Sequence, residues 1–184
     1  ASPLNDTQRA NFEAYYKNGG GFVGIGSAIE TDASWSFYSD LLGARSSGRT
    51  ANQAATIKVI DRVHDASKEF PHYWERSEPY YNFNRNVRGV SHVLMSVVEK
   101  PFEPQPQGKV LKGIDGGTMG ADHPVAWCKD FQAGRSFYTA LGGTVDSYDA
   151  DLRKHLRGSI SWAAGQSDPV YSDCGATVLR NYQQ

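Results

Sequence analysis

The sequence predicts a layered α/β domain, and three observations lead to that class. The chain has 184 residues, of which 39% are hydrophobic and 21% charged, as is typical of one globular domain. Helix-like and strand-like patterns alternate at the front of the chain, which favours a wound sheet covered by helices. Two strand-like segments then follow each other without a helix between them, which predicts an antiparallel extension of the sheet.

The first elements are a helix, a strand and a second helix. "LNDTQRANFEAYYKNGGG" predicts a helix, because Asn5 or Asp6 can accept a backbone N–H at its start and Gly19 allows a left-handed stop. "GFVGI" predicts a short apolar strand that is buried on both faces. "SWSFYSDLLGA" predicts a helix that ends at Gly43.

The later elements are mostly strands. "ATIKVI" and "VSHVLMSVV" predict two of them, and the aromatic and polar segment between them shows no clear period. Residues 101–120 contain three prolines and predict a loop. "PVAWCKDF" and "RSFYTAL" predict two strands joined by a turn around Ala133 and Gly134. "DSYDADLRKHLRGSISWAAG" predicts a helix, because its acidic start suits the helix dipole, and an irregular tail follows it.

Charge and cysteine content exclude several classes of partner. Nineteen basic and twenty acidic side chains give a net charge of −1 without a basic block, so no nucleic acid is expected. No apolar run is long enough to span a membrane. Cys128 and Cys174 form either a disulfide in an oxidising compartment or two buried thiols in the cytosol. The histidines lack metal-ligand spacing and neither cysteine lies in a CxxC motif, so no metal and no cofactor is expected.

The order of the elements is unusual at the front. The chain begins on a helix, whereas a doubly wound fold places its first strand in the middle of the sheet. The order of the elements therefore indicates a missing lead strand, and it leaves open whether a missing N-terminal fragment, a second copy of the chain or nothing supplies that strand.

Four stretches resemble, in order, the ThuA-like (trehalose-utilisation) family: "LNDTQRANFEAYYKNGGGFVGI", "GGTMGADHPVAWC", "GRSFYTALGGTVDSY" and "LRKHLRGSISWAAG". The resemblance implies a flavodoxin-like layered α/β domain, similar to the class I glutamine amidotransferases. It also implies an N-terminally truncated ThuA-like domain over residues 1–165 and a tail or linker over residues 166–184. The tail further resembles a junction in large secreted actinobacterial multidomain proteins, which implies an extracellular location.

The same resemblance implies a degenerate site. Members of the family carry histidines where this chain has Gly26, Gly48 and Gly143, and glycine can neither shuttle protons nor bind a metal. Asp122 and His123 are the remaining candidates for catalysis. The candidates for substrate binding are Gly26, Glu30, Glu78, Tyr81 and Asn82.

Structural explanations compete with each of these assignments. Asp122 can cap backbone amides in a turn while His123 packs ahead of a proline, and Glu30 can cap the following helix. The segment around Tyr81 and Asn82 is either a sugar-binding surface, with aromatic walls and a few polar groups, or a loop that covers the core. Ser27 lacks the flanking glycines of a nucleophile elbow, and the absence of cysteine there excludes glutamine amidotransfer.

Three hypotheses for function follow. The first is a carbohydrate-related domain with a degenerate site, which binds a sugar or serves as a module of a secreted protein. The second is an active hydrolase or lyase that acts on a keto-glycoside, with Asp122 and His123 as acid and base. The third is a spacer or interaction domain that binds no sugar.

Overall fold

The computed structural model describes residues 3–32, 34–99, 119–168 and 174. Three α-helices lie in these residues: α1 (Asp6–Lys17), α2 (Ser36–Leu42) and α3 (Ala150–Ala163). Short 3₁₀ helices span Gly26–Glu30 and Val145–Ser147. The strands are β1 (Gly21–Ile25), β2 (Ser46–Arg49), β3 (Gln53–Val59), β4 (Tyr73–Glu78), β5 (Tyr81–Phe83), β6 (His92–Val97), β7 (His123–Phe131) and β8 (Gly134–Thr139).

The three predicted helices are confirmed, and the predicted caps hold the start of α1 and the end of α2, whereas the helix predicted from Asp146 begins at Ala150. Asn5 is the N-cap of α1 and accepts a hydrogen bond of 3.0 Å from the main-chain N–H of Gln8. Gly43 ends α2 in the left-handed conformation, with φ of +89°. Asp149 starts α3 by accepting from the main-chain N–H of Leu152 at 2.8 Å.

Six strands form one sheet in the order β1-β8-β7-β6-β3-β4, and β2 pairs with β5 in a separate ribbon. Only β1 and β8 run parallel; the other neighbours in the six-stranded sheet, among the described residues, are antiparallel. The mixed α/β class is therefore confirmed. The predicted turn between β7 and β8 is confirmed as well, because Phe131 pairs with Gly134.

Strand β1 is less buried than the sequence predicts. It lies at the end of the sheet order, and its burial is complete only at Gly24; the other four residues are half-buried. A strand at the end of a sheet has one hydrogen-bonded neighbour, so part of its surface stays accessible. The apolar residues of "GFVGI" are typical of a central strand, but the strand order places β1 at one edge of the sheet.

Helix α2 is anchored to the sheet through its C-terminal carbonyl groups, which have no partner within a helix. Trp127 on β7 donates from Nε1 to the carbonyl of Leu42 at 2.8 Å. Ser136 on β8 donates from Oγ to the carbonyl of Leu41 at 2.7 Å. These buried side chains fix the position of α2 over the middle of the sheet.

A disulfide joins Cys128 on β7 to Cys174, with 5.8 Å between the two Cα atoms, so the disulfide is confirmed over the pair of free thiols. Such bonds are typical of oxidising compartments, and this one is compatible with an extracellular protein. In the part of the chain that the structure describes, no helix is long and apolar enough to cross a membrane. The predicted loop at residues 101–120 and the irregular tail lie almost wholly outside the described residues.

Candidate functional site

The strand directions bring the predicted site residues to one edge of the sheet. Strands β1, β4, β6 and β8 run in the same direction, while β3 and β7 run against them. We call the edge at which these four strands end, and at which β3 and β7 begin, the carboxyl edge. Ligand sites of α/β sheets commonly lie beyond the carboxyl ends of strands. Four predicted residues lie at this edge: Gly26 after β1, Glu78 at the end of β4, and Asp122 and His123 at the start of β7.

Two of the three glycines at which the family resemblance implies histidines meet at the carboxyl edge. A Cβ atom built on Gly26 would lie 3.6 Å from the Cα of Gly143, and Gly26 has a left-handed φ of +51°. A Cβ atom on Gly143 would lie only 2.5 Å from Cγ of Pro79. The proline ring therefore fills the space into which a side chain at position 143 would project. The third glycine, Gly48, pairs with the buried Asn82 in the β2–β5 ribbon.

Glu78 is fully buried, and its carboxylate has internal partners. Arg76 donates from Nε to Oε1 at 2.7 Å. Oε2 accepts from the hydroxyl of Ser147 at 2.7 Å and from the main-chain N–H of Gly143 at 3.2 Å. Arg76 also donates to the carboxylate of Asp149 at 2.9 Å. This network joins β4 to the segment that follows β8, and it satisfies both carboxylate oxygens of Glu78.

His123 is also fully buried and contacts an acceptor through each ring nitrogen. Its Nε2 lies 2.7 Å from the carbonyl oxygen of Tyr81, to which it donates because a carbonyl can only accept. Its Nδ1 lies 2.6 Å from Oε1 of Glu99. Burial on its own raises the pKa of Glu99, but hydrogen bonds from His123 and from the main-chain N–H groups of Met119 and Gly120 outweigh it, so this pKa falls below its usual value.

Asp122 has partners of its own, on a more accessible side of the chain. Arg88 holds its carboxylate in a two-pronged ion pair, with Nε 2.5 Å from Oδ2 and Nη2 2.8 Å from Oδ1. Asn86 donates to the same carboxylate at 2.7 Å. Burial raises the pKa of Asp122, but Arg88 and Asn86 lower it by more, so the group stays ionised at neutral pH. Asp122 and His123 thus serve two separate networks.

Tyr81 and Glu30 flank an arginine that the sequence did not single out. Arg49 on β2 is exposed and donates to the hydroxyl of Tyr81 at 3.3 Å, with its guanidinium 5.9 Å from the centre of that ring. Burial is the main reason why the pKa of Tyr81 is raised, and the charge of Glu30 adds to it. Glu30 is exposed at the end of the 3₁₀ helix after β1. Sequence reasoning could have found Arg49 as a basic residue next to Gly48. It could have found Glu99 as an acid directly after a predicted buried strand.

A cavity of about 320 Å³ opens beside the Glu78 network, between β4 and the residues that follow β8. Its lining carries four carboxylates, one guanidinium, an amide, three hydroxyls and one indole ring. The lining residues are Asn52, Trp74, Glu75, Arg76, Ser77, Thr144, Asp146, Ser147, Asp149 and Asp151. The cavity is therefore rich in hydrogen-bond acceptors and has the buried Arg76 in its wall.

Comparisons with known proteins agree with this architecture. The model of the family described as ThuA, trehalose utilisation, matches residues 1–163. The structure is similar to that of a ThuA-like protein from Bacteroides uniformis, with a TM-score of 0.71 and 21% sequence identity over 91% of this chain and 68% of that chain. It is also similar to a ThuA-like protein from Parabacteroides merdae, with a TM-score of 0.69 and 16% identity over 89% of this chain and 67% of that chain.

None of the curated proteins with which the sequence was compared matches it. The similarity to the two solved structures, at these identities, concerns the fold. The family match extends over most of the chain and includes every strand and helix described above, so it shows membership of the family as well as the fold. The chain belongs to the ThuA (trehalose utilisation) family.

Proposed function

We propose that this domain binds a carbohydrate at the carboxyl edge of its sheet and that its site no longer supports catalysis. The observation that carries the proposal is the cavity of about 320 Å³ beside Glu78, at the edge where the predicted site residues lie. Sugar hydroxyls are hydrogen-bond donors, and the carboxylates of Glu75, Asp146 and Asp151 offer acceptors for them. The indole of Trp74 supplies an apolar part of the wall.

The loss of catalysis is inferred from how the candidate acids and bases are engaged. A general acid or base must lie within hydrogen-bond reach of the substrate. Glu78 and His123 are fully buried, and each is saturated by partners within the protein. Asp122 is bound by Arg88 and held ionised. With glycine at positions 26 and 143, the described residues of the edge offer polar groups for a ligand and no free imidazole.

Binding should be measured by calorimetry and by amide NMR shifts on the whole chain, with trehalose, maltose and their oxidised (keto) counterparts as probes. Asp146→Ala and Asn52→Ala remove exposed acceptors and are expected to weaken binding about tenfold each. Glu69→Ala removes an exposed acid of the Asp65–Lys68 region and serves as the matched control, with unchanged affinity.

The same titrations show whether the predicted site residues outside the cavity also contribute to binding. Tyr81→Phe removes the hydroxyl that contacts Arg49, and Asp122→Ala removes the partner of Arg88. If sugars bind and neither change alters the affinity, Tyr81 and Asp122 do not belong to the binding surface. Arg62→Ala, at an exposed arginine beyond the end of β3 and so at the opposite edge, is the control for a change of surface charge.

Two results would replace the proposal. Turnover of a keto-glycoside that His123→Ala abolishes would identify an active hydrolase or lyase. Failure of all probes to bind would favour a spacer or interaction module. A role in a secreted protein is part of our proposal, and it predicts that the natural protein is recovered from outside the cell with the Cys128–Cys174 bond formed.

A further inference from the structure

The disulfide has a histidine as its neighbour. His64 lies between β3 and β4, Cys128 lies on β7, and Cys174 lies in the C-terminal segment, yet a ring nitrogen of His64 and both sulfur atoms lie within 4.8 Å of one another. All three side chains are buried, with 1%, 0% and 1% of their surfaces exposed. The two sulfur atoms are bonded to each other, so they are poor ligands for a metal ion in this state.

The hydrogen bonding of His64 fixes where its ring proton lies. The main-chain N–H of Ala66 donates to Nδ1 at 3.1 Å, so Nδ1 has no proton of its own. Burial lowers the pKa of His64 to about 4, and the neutral ring must then carry its proton on Nε2. Within the described part of the chain, Nε2 is buried and has no hydrogen-bond partner. A buried N–H without an acceptor is rare and calls for an explanation.

Hydrogen bonds hold the main chain at His64, and its ring lies among other rings of the core. Its own main-chain N–H donates to Asp61 at 3.0 Å, and its carbonyl accepts from the N–H groups of Ser67 and Lys68 at 2.9 and 2.8 Å. The ring packs against Phe137 and Trp162. The fold therefore holds the imidazole ring of His64 close to two sulfur atoms in an apolar environment.

We propose that the Cys128–Cys174 bond is redox-sensitive and that the Nε2–H of His64 stabilises its reduced form by a hydrogen bond to sulfur. A disulfide sulfur is a weak acceptor, whereas a thiolate is charged and accepts strongly. The donor that has no partner in the oxidised protein gains one when the bond is broken. His64 thereby shifts the thiol–disulfide equilibrium towards the reduced protein.

The reduction needs a dithiol, which supplies both electrons. One dithiol sulfur attacks a protein sulfur, the S–S bond breaks, and the second dithiol sulfur then displaces the first protein sulfur. Two electrons pass to Cys128 and Cys174, and the dithiol becomes a cyclic disulfide. The two protons of the dithiol pass to the protein sulfurs or to solvent. The product has lost the covalent link across 46 residues between β7 and the C-terminal segment.

The test is the equilibrium of the whole oxidised chain with mixtures of reduced and oxidised dithiothreitol, in the presence of a chelator. Alkylation and intact mass give the ratio of reduced to oxidised protein. His64→Phe is expected to lower that ratio about tenfold, the effect of losing one hydrogen bond to a charged group. His64→Gln keeps an N–H near the position of Nε2 and is expected to recover part of the loss.

The matched control is His155→Phe. His155 is an equally buried histidine that hydrogen-bonds the same residue, Ala66, but it is not one of the three groups that converge at the disulfide. Its replacement should leave the ratio unchanged. Equal ratios for His64→Phe, His155→Phe and the unmodified chain would overturn the proposal, as would reduction that occurs only when circular dichroism shows global unfolding. If His64→Phe does not fold, His64→Leu takes its place: a tenfold lower ratio supports the donor role, and a ratio equal to that of the unmodified chain overturns it.

Discussion

Arg76 and Glu78 form an ion pair inside the protein: Nε lies 2.7 Å from Oε1, and the two side chains are 5% and 0% exposed. Both groups project from the same strand, and their remaining bonds reach Ser147 and Asp149 in the segment after β8. A buried pair of this kind loses the hydration of two charges, so it persists only when other hydrogen bonds satisfy both partners. Here they do.

The first prediction concerns this pair. Glu78→Ala leaves the buried Arg76 guanidinium with the exposed carboxylate of Asp149 alone and removes the acceptor of Ser147, so the free energy of unfolding should fall by about 3 kcal/mol. Urea unfolding measures the change. Glu13→Ala, which breaks an exposed pair with Lys17 and a hydrogen bond to Trp35, is the comparison. A loss at Glu78 no greater than that at Glu13 would contradict the assignment of a structural role to Glu78.

The second prediction concerns the contact between Gly143 and Pro79. A Cβ atom at position 143 would lie 2.5 Å from the proline ring, so Gly143→Ala should cost about 1–3 kcal/mol of unfolding free energy. Because the clash is with one ring, Pro79→Ala in the same chain should restore part of the loss. A double-mutant cycle by chemical denaturation measures this coupling. Purely additive effects would show that the ring is not the obstacle.

The third prediction is a loss of stability in acid. Burial lowers the pKa of His155 to about 4, below its value of 6.5 in the unfolded chain. The unfolded state therefore binds the proton first, and stability present above pH 6.5 is lost as the pH falls towards 4. The loss amounts to about 3 kcal/mol for this one group. The lowered pKa values of Asp122 and Asp149 lie in a more acidic window, below their usual 3.8.

Unfolding free energies of the whole chain at pH 7, 5.5 and 4.5 test this effect. His155→Phe should flatten the dependence in that range, whereas His72→Ala, at an exposed histidine, should leave it unchanged. His64 contributes in the same direction, because its pKa is also lowered to about 4 by burial. An equally steep dependence in His155→Phe would show that the imidazole of His155 binds its proton equally well in the folded and unfolded states.

The fourth prediction concerns the disulfide. Replacing Cys128 and Cys174 together by alanine removes a cross-link over 46 residues, and the chain-entropy relation gives a loss of about 4 kcal/mol. Thermal and urea unfolding measure it. The loss should appear without a change in the circular dichroism of the folded state, because β7 keeps its pairing with β6 and β8. An unchanged stability would mean that the bond constrains little of the unfolded chain.

Local signals in the sequence were enough for some parts of this fold. The caps at Asn5 and Gly43 act within a few residues, and they predicted the ends of α1 and α2, whereas the cap of α3 at Asp149 was not identified from the sequence. The turn between β7 and β8 is equally local. The family resemblance supplied the layered architecture as a whole, which the match to residues 1–163 confirms.

Other features depend on contacts between distant residues. Strand β4 was missed because its buried positions include Arg76 and Glu78, which read as exposed residues in a sequence. Their partners lie 69 to 73 residues further along the chain, at Ser147 and Asp149. The parallel pairing of β1 with β8 joins segments more than a hundred residues apart, and no local pattern specifies it. For the same reason the sequence placed His123 beside Asp122, and no local pattern paired His123 with Glu99.

The proline ring beside Gly143 also bears on how this lineage could change. Regaining a histidine at that position requires the ring to be removed, and removal of the ring alone restores no imidazole. Neither single step brings back the group that the family resemblance places there, and the step taken first at position 143 lowers stability. Replacement of Pro79 must therefore come before a larger side chain at position 143. The Gly143–Pro79 contact thus fixes the order in which these two positions can change.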